Sequence, residues 1–243
     1  MIGSMIYEIL RNTPFYPFWL ESLKSRNAET IVFQYAKGTC LEVGCGNTNT
    51  KKFVTRINKN ITDYVATDYI GTHHITGNRN MVVDDYTDAL HLKYSANSFD
   101  THISLEVLEH LPDPYKYFEE ARRILKPGGI MIFSVPFLYR EHGSPEYHDD
   151  YLRFTKNSFR LLANKFGFKC NLLLSNTGVG TTVCILINTY LIRKVLEGKL
   201  LTKIIFFSFC PIIFLVTNLF GAIFDIVPDE RYAIRNFAIL ERI

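Results

Sequence analysis

The sequence predicts an α/β fold: a doubly wound sheet with helices on both faces. Two observations carry that expectation. Apolar strand-like runs alternate with helical stripes over most of the chain, and such alternation implies a parallel sheet covered on both sides. The segment Cys40-Leu-Glu-Val-Gly-Cys-Gly-Asn47 runs apolar, ends in an acid and turns on two glycines. A buried parallel strand hands the chain to a tight turn in this way, because glycine tolerates the turn and lets a ligand approach the backbone.

The remaining elements follow in order. Tyr64-Val-Ala-Thr-Asp68 reads as a second strand, ending in an acid roughly 20 residues past the glycines, where a doubly wound sheet holds ribose hydroxyls. Met81-Val-Val83 reads as a third strand, followed by Asp84, Asp85 and Asp88. Phe99 to Leu105 reads as a fourth, and Ile130 to Val135 as a fifth, just after Lys126-Pro-Gly-Gly129. Tyr115 to Leu125 places apolar residues at 117, 118, 121, 124 and 125, a helical stripe that Pro127 and two glycines stop.

Three ligands compete for the glycine turn. A phosphate-binding loop needs Gly-x-x-x-x-Gly-Lys and then Ser or Thr, which the chain does not supply, although Lys51 and Lys52 lie nearby. A dinucleotide fingerprint needs a third glycine where Asn49 stands. An adenosine cofactor without phosphates needs only the turn and the close approach. Glu42 beside the turn would repel a pyrophosphate and suits a cofactor with a sulfonium and an ammonium. Charge therefore favours S-adenosylmethionine over NAD.

With these motifs in order, residues 35 to 170 resemble the class I S-adenosylmethionine-dependent methyltransferases of the type 11-like kind. Leu41-Glu-Val-Gly-Cys-Gly46 is similar to the family's first motif. Asp68 matches its ribose-binding acid. Asp88-Ala89, Leu92 and Asn97-Ser-Phe-Asp100 are similar to the segment flanking adenine. Leu105-Glu-Val-Leu-Glu-His-Leu111 and Leu125-Lys-Pro-Gly-Gly129 resemble the fourth-strand and pre-fifth-strand signatures. The resemblance implies a seven-stranded Rossmann-like sheet whose last strand runs antiparallel, with Asn236 to Glu241 as that strand. It implies cofactor contacts at Glu42, Gly44, Cys45, Gly46, Asp68, Tyr69, Asp88, Ala89 and Leu105, with S-adenosylhomocysteine as product. The chain departs from the family at Leu92-Lys93-Tyr94, where Leu-Pro-Phe is usual, and at Asn49. For the third acid, Asp85 is nearer the strand end, but Asp88 fits the spacing to Phe99-Asp100 and is preferred.

Net charge of +3 gives no case for nucleic acid, and no aromatic-basic stripe is present. The five cysteines have no metal-like spacing, so no metal is expected, and scattered thiols suit a reducing cytosol. No basic patch followed by an apolar stretch opens the chain, which reads as lacking a secretory signal.

Ligands in open α/β sheets lie beyond the carboxyl ends of the strands. Pro136 to Phe154, rich in His, Asp, Tyr and Arg, should therefore hang over the methyl donor. Thr155 or Asn157 could cap a helix carrying Phe159, Leu161, Leu162 and Phe166. Methyl transfer to a hydroxyl needs positioning and a base. His142 and His148 are the candidates, with Asp149 or Asp150 to orient either one. The competing role for these residues is to tie a lid to the body through hydrogen bonds and ion pairs. His110 is a further candidate that the family makes mostly structural, and His73 and His74 read as loop residues.

Ile204 to Phe224 carries no charge and is long enough to span a membrane. Pro211, Asn218 and Gly221 argue against a crossing, and a single crossing would strand the last strand on the far side. With Val183 to Ile192 and the basic connector Arg193 to Lys203, the segment reads as a helical pair inserted before the last strand. It would lie in one leaflet, cover the acceptor, fill a core or form a dimer face. The expected organisation is an N-terminal helical cap (1–34), a cofactor-binding core (35–182), the apolar insertion (183–228) and the last strand (229–243). An apolar roof, and the segment His148 to Thr155, point to a small-molecule, glycan or lipid-linked acceptor for a cytoplasmic enzyme at the inner face of the membrane. The competing readings are a non-catalytic cofactor-binding or scaffold protein and, disfavoured by Asn49 and Glu42, an NAD-dependent oxidoreductase.

Overall fold

The computed structural model describes residues 10–46, 50–70, 83–142 and 149–243, with backbone alone at 200–202 and 204–208. The readings at Asn47, Asn49, His73, His74, Met81, Val82 and His148 lie outside the described residues. The chain divides into two compact units. One holds Glu29–Phe137, Glu141–Leu174 and Asn236–Ile243; the other holds Met1–Ala28, Leu138–Arg140 and Ser175–Arg235.

In chain order the elements are α1 (Trp19–Phe33), β1 (Gly38–Val43), α2 (Thr50–Ile57), β2 (Ile61–Asp68), β3 (Asp85–Tyr86) and β4 (Phe99–Leu105). A 3-10 turn (Leu108–His110), α3 (Pro114–Ile124), β5 (Leu125–Pro136), α4 (Lys156–Lys165) and β6 (Phe168–Ser175) follow. The chain ends with α5 (Val179–Glu197), α6 (Leu200–Phe224), a second 3-10 turn (Glu230–Tyr232) and β7 (Arg235–Arg242). The strands form one seven-stranded sheet in the order β3-β2-β1-β4-β5-β7-β6. Strands β1 to β5 pair in parallel. Strand β7 runs against β6: Asn176 N–H donates to Arg235 O, while at the other end Ile243 N–H donates to Gly167 O. The sheet is therefore mixed, with its last strand reversed as the resemblance implies.

Two element readings need correction. The third strand lies at Asp85–Tyr86, not at Val83. Asp84 explains the shift: its N–H donates to Ala66 O and its carboxylate accepts Ala66 N–H, both at 2.8 Å, so pairing with β2 begins only beyond it. The segment Lys126 to Gly129 is part of β5, not a break before it. Gly128 takes a left-handed φ of 73°, and the register between β4 and β5 shifts between Phe99 and Thr101, so the glycines make an irregularity within the strand.

Sequence chemistry sets the helix ends. Asp113 caps α3 by accepting Lys116 N–H at 2.9 Å, with Pro114 in the first turn. Thr155 caps α4 by accepting Ser158 N–H. Phe159 and Leu162 of α4 are buried, whereas Leu161 faces solvent. Leu41, Val43, Phe118, Ile124, Phe133, Val135, Phe159 and Leu240 form a continuous core. At about 25 cal/mol per Å² of apolar surface, this burial is the main favourable term for the sheet unit.

In the second unit α5 and α6 meet at a glycine pair. A Cβ on Gly180 would lie 2.5 Å from Gly221 O, so only glycine allows this approach. The Asp225 carboxylate, at the C-terminal end of α6, accepts Lys24 Nζ at 2.7 Å, Gly180 N–H at 2.7 Å and Thr181 N–H at 3.1 Å. An anion at the start of α5 satisfies amides that the helix leaves unpaired and complements its dipole. The polar residues in the apolar run have similar work. Buried Asn218 donates to Pro14 O and Tyr16 O, both at 2.9 Å, and buried Asn188 donates to Pro17 O at 2.8 Å. Away from these contacts the helices expose Tyr190, Ile212, Val216, Phe220, Ile223 and Phe224. By length and composition, α5 could cross a membrane.

Candidate active site

Strand β1 ends at Val43 and the chain turns immediately. Gly44 and Gly46 take φ values of 75° and 49°, the left-handed region that only glycine enters cheaply. A Cβ on Gly44 would lie 2.2 Å from Val107 Cγ2, whereas one on Gly46 would meet nothing within 4 Å. The second glycine thus leaves open space over its backbone, as a ligand-facing turn requires.

The Asp68 carboxylate, at the end of β2, accepts Gly46 N–H at 2.6 Å and Tyr69 N–H at 2.7 Å. Cys45 Sγ lies 3.9 Å from the same carboxylate. Burial and the adjacent acids push the Cys45 thiol up to about 12, so it stays protonated. Glu42 lies beneath the turn. It is 2 % exposed and accepts Tyr64 OH at 3.0 Å. Burial pushes its carboxyl up to about 7, against hydrogen bonds from Tyr64 and Thr50 that hold it down. Its field near neutral pH is therefore weaker than the full charge expected from sequence.

Of the third-strand acids, Asp85 binds Lys93 Nζ at 2.5 Å and Tyr94 OH at 3.0 Å. Asp88 forms a turn of its own, accepting Leu90 N–H at 2.8 Å beside His91. Ala89 is buried, Leu105 is half-buried at the end of β4, and Tyr69 is exposed.

A second cluster sits just past β4 and β5. His142 Nδ1 lies 3.0 Å from Asp150 Oδ2, and its backbone N–H donates to the same oxygen at 2.9 Å. Arg153 clamps Asp150 from the other side. Burial raises the Asp150 carboxyl, but Arg153 and His142 outweigh it and hold it at about 2. The carboxylate nearest the His142 ring is thus Asp150, not Asp149. The Asp149 side chain accepts Tyr151 OH at 3.2 Å, while its carbonyl lies 2.8 Å from His110 Nδ1. Sequence reasoning missed Glu106 and Glu109. Glu106 is one of two described non-glycine residues with positive φ, at 56°, and Ser134 Oγ donates to its carboxylate at 2.7 Å. Such strain at a strand end is characteristic of functional positions. Glu109 is fully buried beside both imidazoles. The signal available was the spacing Glu106-x-x-Glu109-His110 immediately after a strand.

The second unit contains a cavity of about 390 Å³. Phe18, Tyr139, Ile192 and Leu196 give it apolar walls, and Arg140 and the Arg193–Glu197 ion pair, at 2.7 Å, give it polar ones.

Residues 41–133 match the family described as Methyltransferase domain. That stretch holds the glycine turn, Asp68, Asp88 and strand β4. This stretch of the chain is thus similar to a methyltransferase domain. Its core is similar to the ubiquinone biosynthesis O-methyltransferase of Cereibacter sphaeroides, 30 % identical over 98 residues, or 39 % of this chain and 40 % of that protein. The chain thus spans about two fifths of the length of the curated relative it matches. Among solved structures, an S-adenosylmethionine-dependent methyltransferase from Mesorhizobium loti matches with a TM-score of 0.52 at 14 % identity, covering 93 % of this chain and 98 % of that one. The Haemonchus contortus phosphoethanolamine N-methyltransferase 2 in complex with S-adenosyl-L-methionine matches with a TM-score of 0.52 at 17 % identity, covering 97 % and 59 %. These structural likenesses establish the fold of the methyltransferase domain.

The two glycines should separate in experiment. Gly44→Ala adds a clash to the backbone strain and is expected to cost about 3 kcal/mol of stability. Gly46→Ala meets only the strain, about 1–2 kcal/mol, but places a methyl in the open space over the turn, where a cofactor is expected. Its affinity for S-adenosylmethionine should fall by roughly tenfold or more while the protein stays folded. Urea unfolding and calorimetric titration measure the two effects; equal stability losses would refute the packing argument.

Glu42 makes stability depend on pH. Its folded carboxyl lies above the ordinary 4.5, so folding favours the protonated form. Stability is lost as pH rises from 4.5 to about 7 and is flat above that. The uncharged Glu42→Gln should gain on the wild type across this window, reaching on the order of 3 kcal/mol above it. Cofactor-free unfolding at pH 5 and pH 8 tests the sign. A gain that does not grow with pH contradicts the raised carboxyl.

Proposed function

We propose that the protein is an S-adenosylmethionine-dependent O-methyltransferase acting on a small-molecule, sugar or lipid-linked acceptor. The observation that carries this reading is the left-handed Gly44–Gly46 turn bound to Asp68, within a methyltransferase domain. The turn would take the methionine end of the cofactor, Asp68 and Tyr69 the ribose, and Asp88, Ala89 and Leu105 the adenine side. The relative from Cereibacter sphaeroides, named as an O-methyltransferase, supports oxygen as the acceptor atom. His142, beside Asp150, would activate the hydroxyl, since a neutral imidazole can take a proton near neutral pH.

The reading extends to a membrane surface. The exposed apolar face of α5 and α6 lies next to a connector containing Arg193, Lys194, Lys199 and Lys203. An apolar face with flanking cations suits the boundary of an anionic leaflet. The protein would then work at the cytoplasmic face of a membrane.

Calorimetry should show S-adenosylmethionine and S-adenosylhomocysteine binding, and no heat with NAD. With an acceptor identified from a panel, His142→Ala should lower turnover by roughly 100-fold or more and leave cofactor affinity unchanged. Cofactor binding without transfer to any acceptor would favour a non-catalytic binder. Full-length protein should float with anionic liposomes, and a variant lacking 196–228 should not. Full-length protein left unbound, or sedimenting as a dimer through this face, would remove the membrane reading.

A further inference from the structure

Glu42 stands two residues before Gly44 and is buried. Its register partners are Ala66 on β2 and Ile103 on β4, so neither neighbouring strand sets a charge opposite it. Its carboxylate accepts Tyr64 OH at 3.0 Å and a hydrogen bond from Thr50. Its backbone carbonyl accepts Thr67 Oγ1 at 2.7 Å, and Thr67 O accepts the Cys45 N–H at 2.9 Å. Glu42 is thereby tied to the glycine turn from both its side chain and its backbone.

Few charged groups surround it. The negative field of Asp68 disfavours its ionised form. The Cys45 thiol stays protonated and adds no charge. Lys51 on α2 favours the ionised form, but its ammonium binds Asp84 at 2.7 Å. Among the described residues no cation lies within ion-pair distance of Glu42. Asn47, Thr48 and Asn49, which follow the glycines in sequence, are uncharged. A buried carboxylate with hydrogen bonds but no cation ionises at a cost.

The turn has room for a cofactor, since a Cβ on Gly46 would meet nothing within 4 Å. S-adenosylmethionine carries a sulfonium, whereas S-adenosylhomocysteine carries a neutral thioether. The two differ by one methyl group and one positive charge. A neighbouring group that can be charged or neutral therefore tells them apart.

We infer that Glu42 sets the preference for methyl donor over product: ionised, it favours the sulfonium, and protonated, it binds the two more nearly alike. The inference rests on the S-adenosylmethionine reading and gives that site a regulation, in which product competes better as pH falls. Burial pushes the Glu42 carboxyl up to about 7, so both forms are populated near neutral pH. A bound cation stabilises the ionised form and lowers the carboxyl. By reciprocity, ionised Glu42 tightens S-adenosylmethionine binding by the same factor. Lowering by about one unit corresponds to roughly tenfold in affinity. The donor preference is thus low while Glu42 is protonated, rises from roughly pH 6 to about 7 and is level above.

The test is calorimetric titration of full-length protein with S-adenosylmethionine and, separately, S-adenosylhomocysteine from pH 5 to pH 8. The ratio of the two affinities should rise roughly tenfold in favour of S-adenosylmethionine. At about pH 6.5, buffers of different ionisation enthalpy should show roughly half a proton more released with S-adenosylmethionine than with S-adenosylhomocysteine. In Glu42→Gln protein the ratio should stay near its low-pH value throughout. Both proteins meet the same ligands, so ionisation of the ligands cancels between them. Tyr64→Phe removes a hydrogen bond that holds the carboxyl down, so the rise should move to higher pH. A wild-type ratio that does not change with pH overturns the inference without any variant. An equal rise in Glu42→Gln, or an unmoved rise in folded Tyr64→Phe protein, overturns it as well. Wild-type protein that binds neither ligand at any pH overturns the S-adenosylmethionine reading instead.

Discussion

The left-handed backbone at Gly44 and Gly46 is the constraint on which the methyltransferase domain depends. It turns the chain within a few residues of the end of β1, against Val107, which follows β4. It also aims the Gly46 N–H at Asp68, which lies at the end of β2. Three parallel strands are thereby fixed at their carboxyl ends by one turn. A side chain at Gly44 would push that turn away from Val107, and one at Gly46 would fill the space where a ligand approaches. Fold and proposed cofactor site therefore use the same backbone geometry.

The other half of the site depends on strain and buried charge. Glu106 leaves β4 in a conformation that disfavours any side chain, and Ser134 on β5 holds its carboxylate. The chain then places Glu109 in the interior and His110 toward the loop that follows β5. Asp150 accepts the His142 backbone N–H, and Arg153 binds Asp150 in turn.

In the second unit Asp225 plays the role that Asp68 plays in the first. It gathers the amides at the start of α5 and the ammonium of Lys24, while Gly180 and Gly221 allow the two helices to touch. The residues that argue against a simple membrane crossing have structural work. Asn218 and Asn188 hold backbone carbonyls of the N-terminal segment, and Gly221 is the crossing point. The remaining outer faces are apolar and open to solvent, which is what a surface that meets lipid or another apolar layer requires.

Local signals made most of the architecture legible. The alternation of strand-like and helical segments gave β4, and the stripe at 117, 118, 121 and 124 gave α3, because a helical stripe records the face that the helix buries. The third strand was misplaced because Asp84 ties itself to Ala66 on β2, and nothing near Asp84 in sequence announces that partner. The glycines at 128 and 129 read as a helix stop followed by a loop, since sequence cannot tell a loop from an irregular strand beginning. By itself the sequence determined the glycine turn, the acids at the strand ends and hence the cofactor class, since these are contiguous motifs whose spacing is set by strand and helix length. Only the tertiary structure decided that Asp150, not Asp149, lies against the His142 ring, that Glu42 is buried and partly neutral, and that Glu109, His110 and His142 converge. Those properties depend on burial and on residues far apart in the chain, which local pattern does not encode.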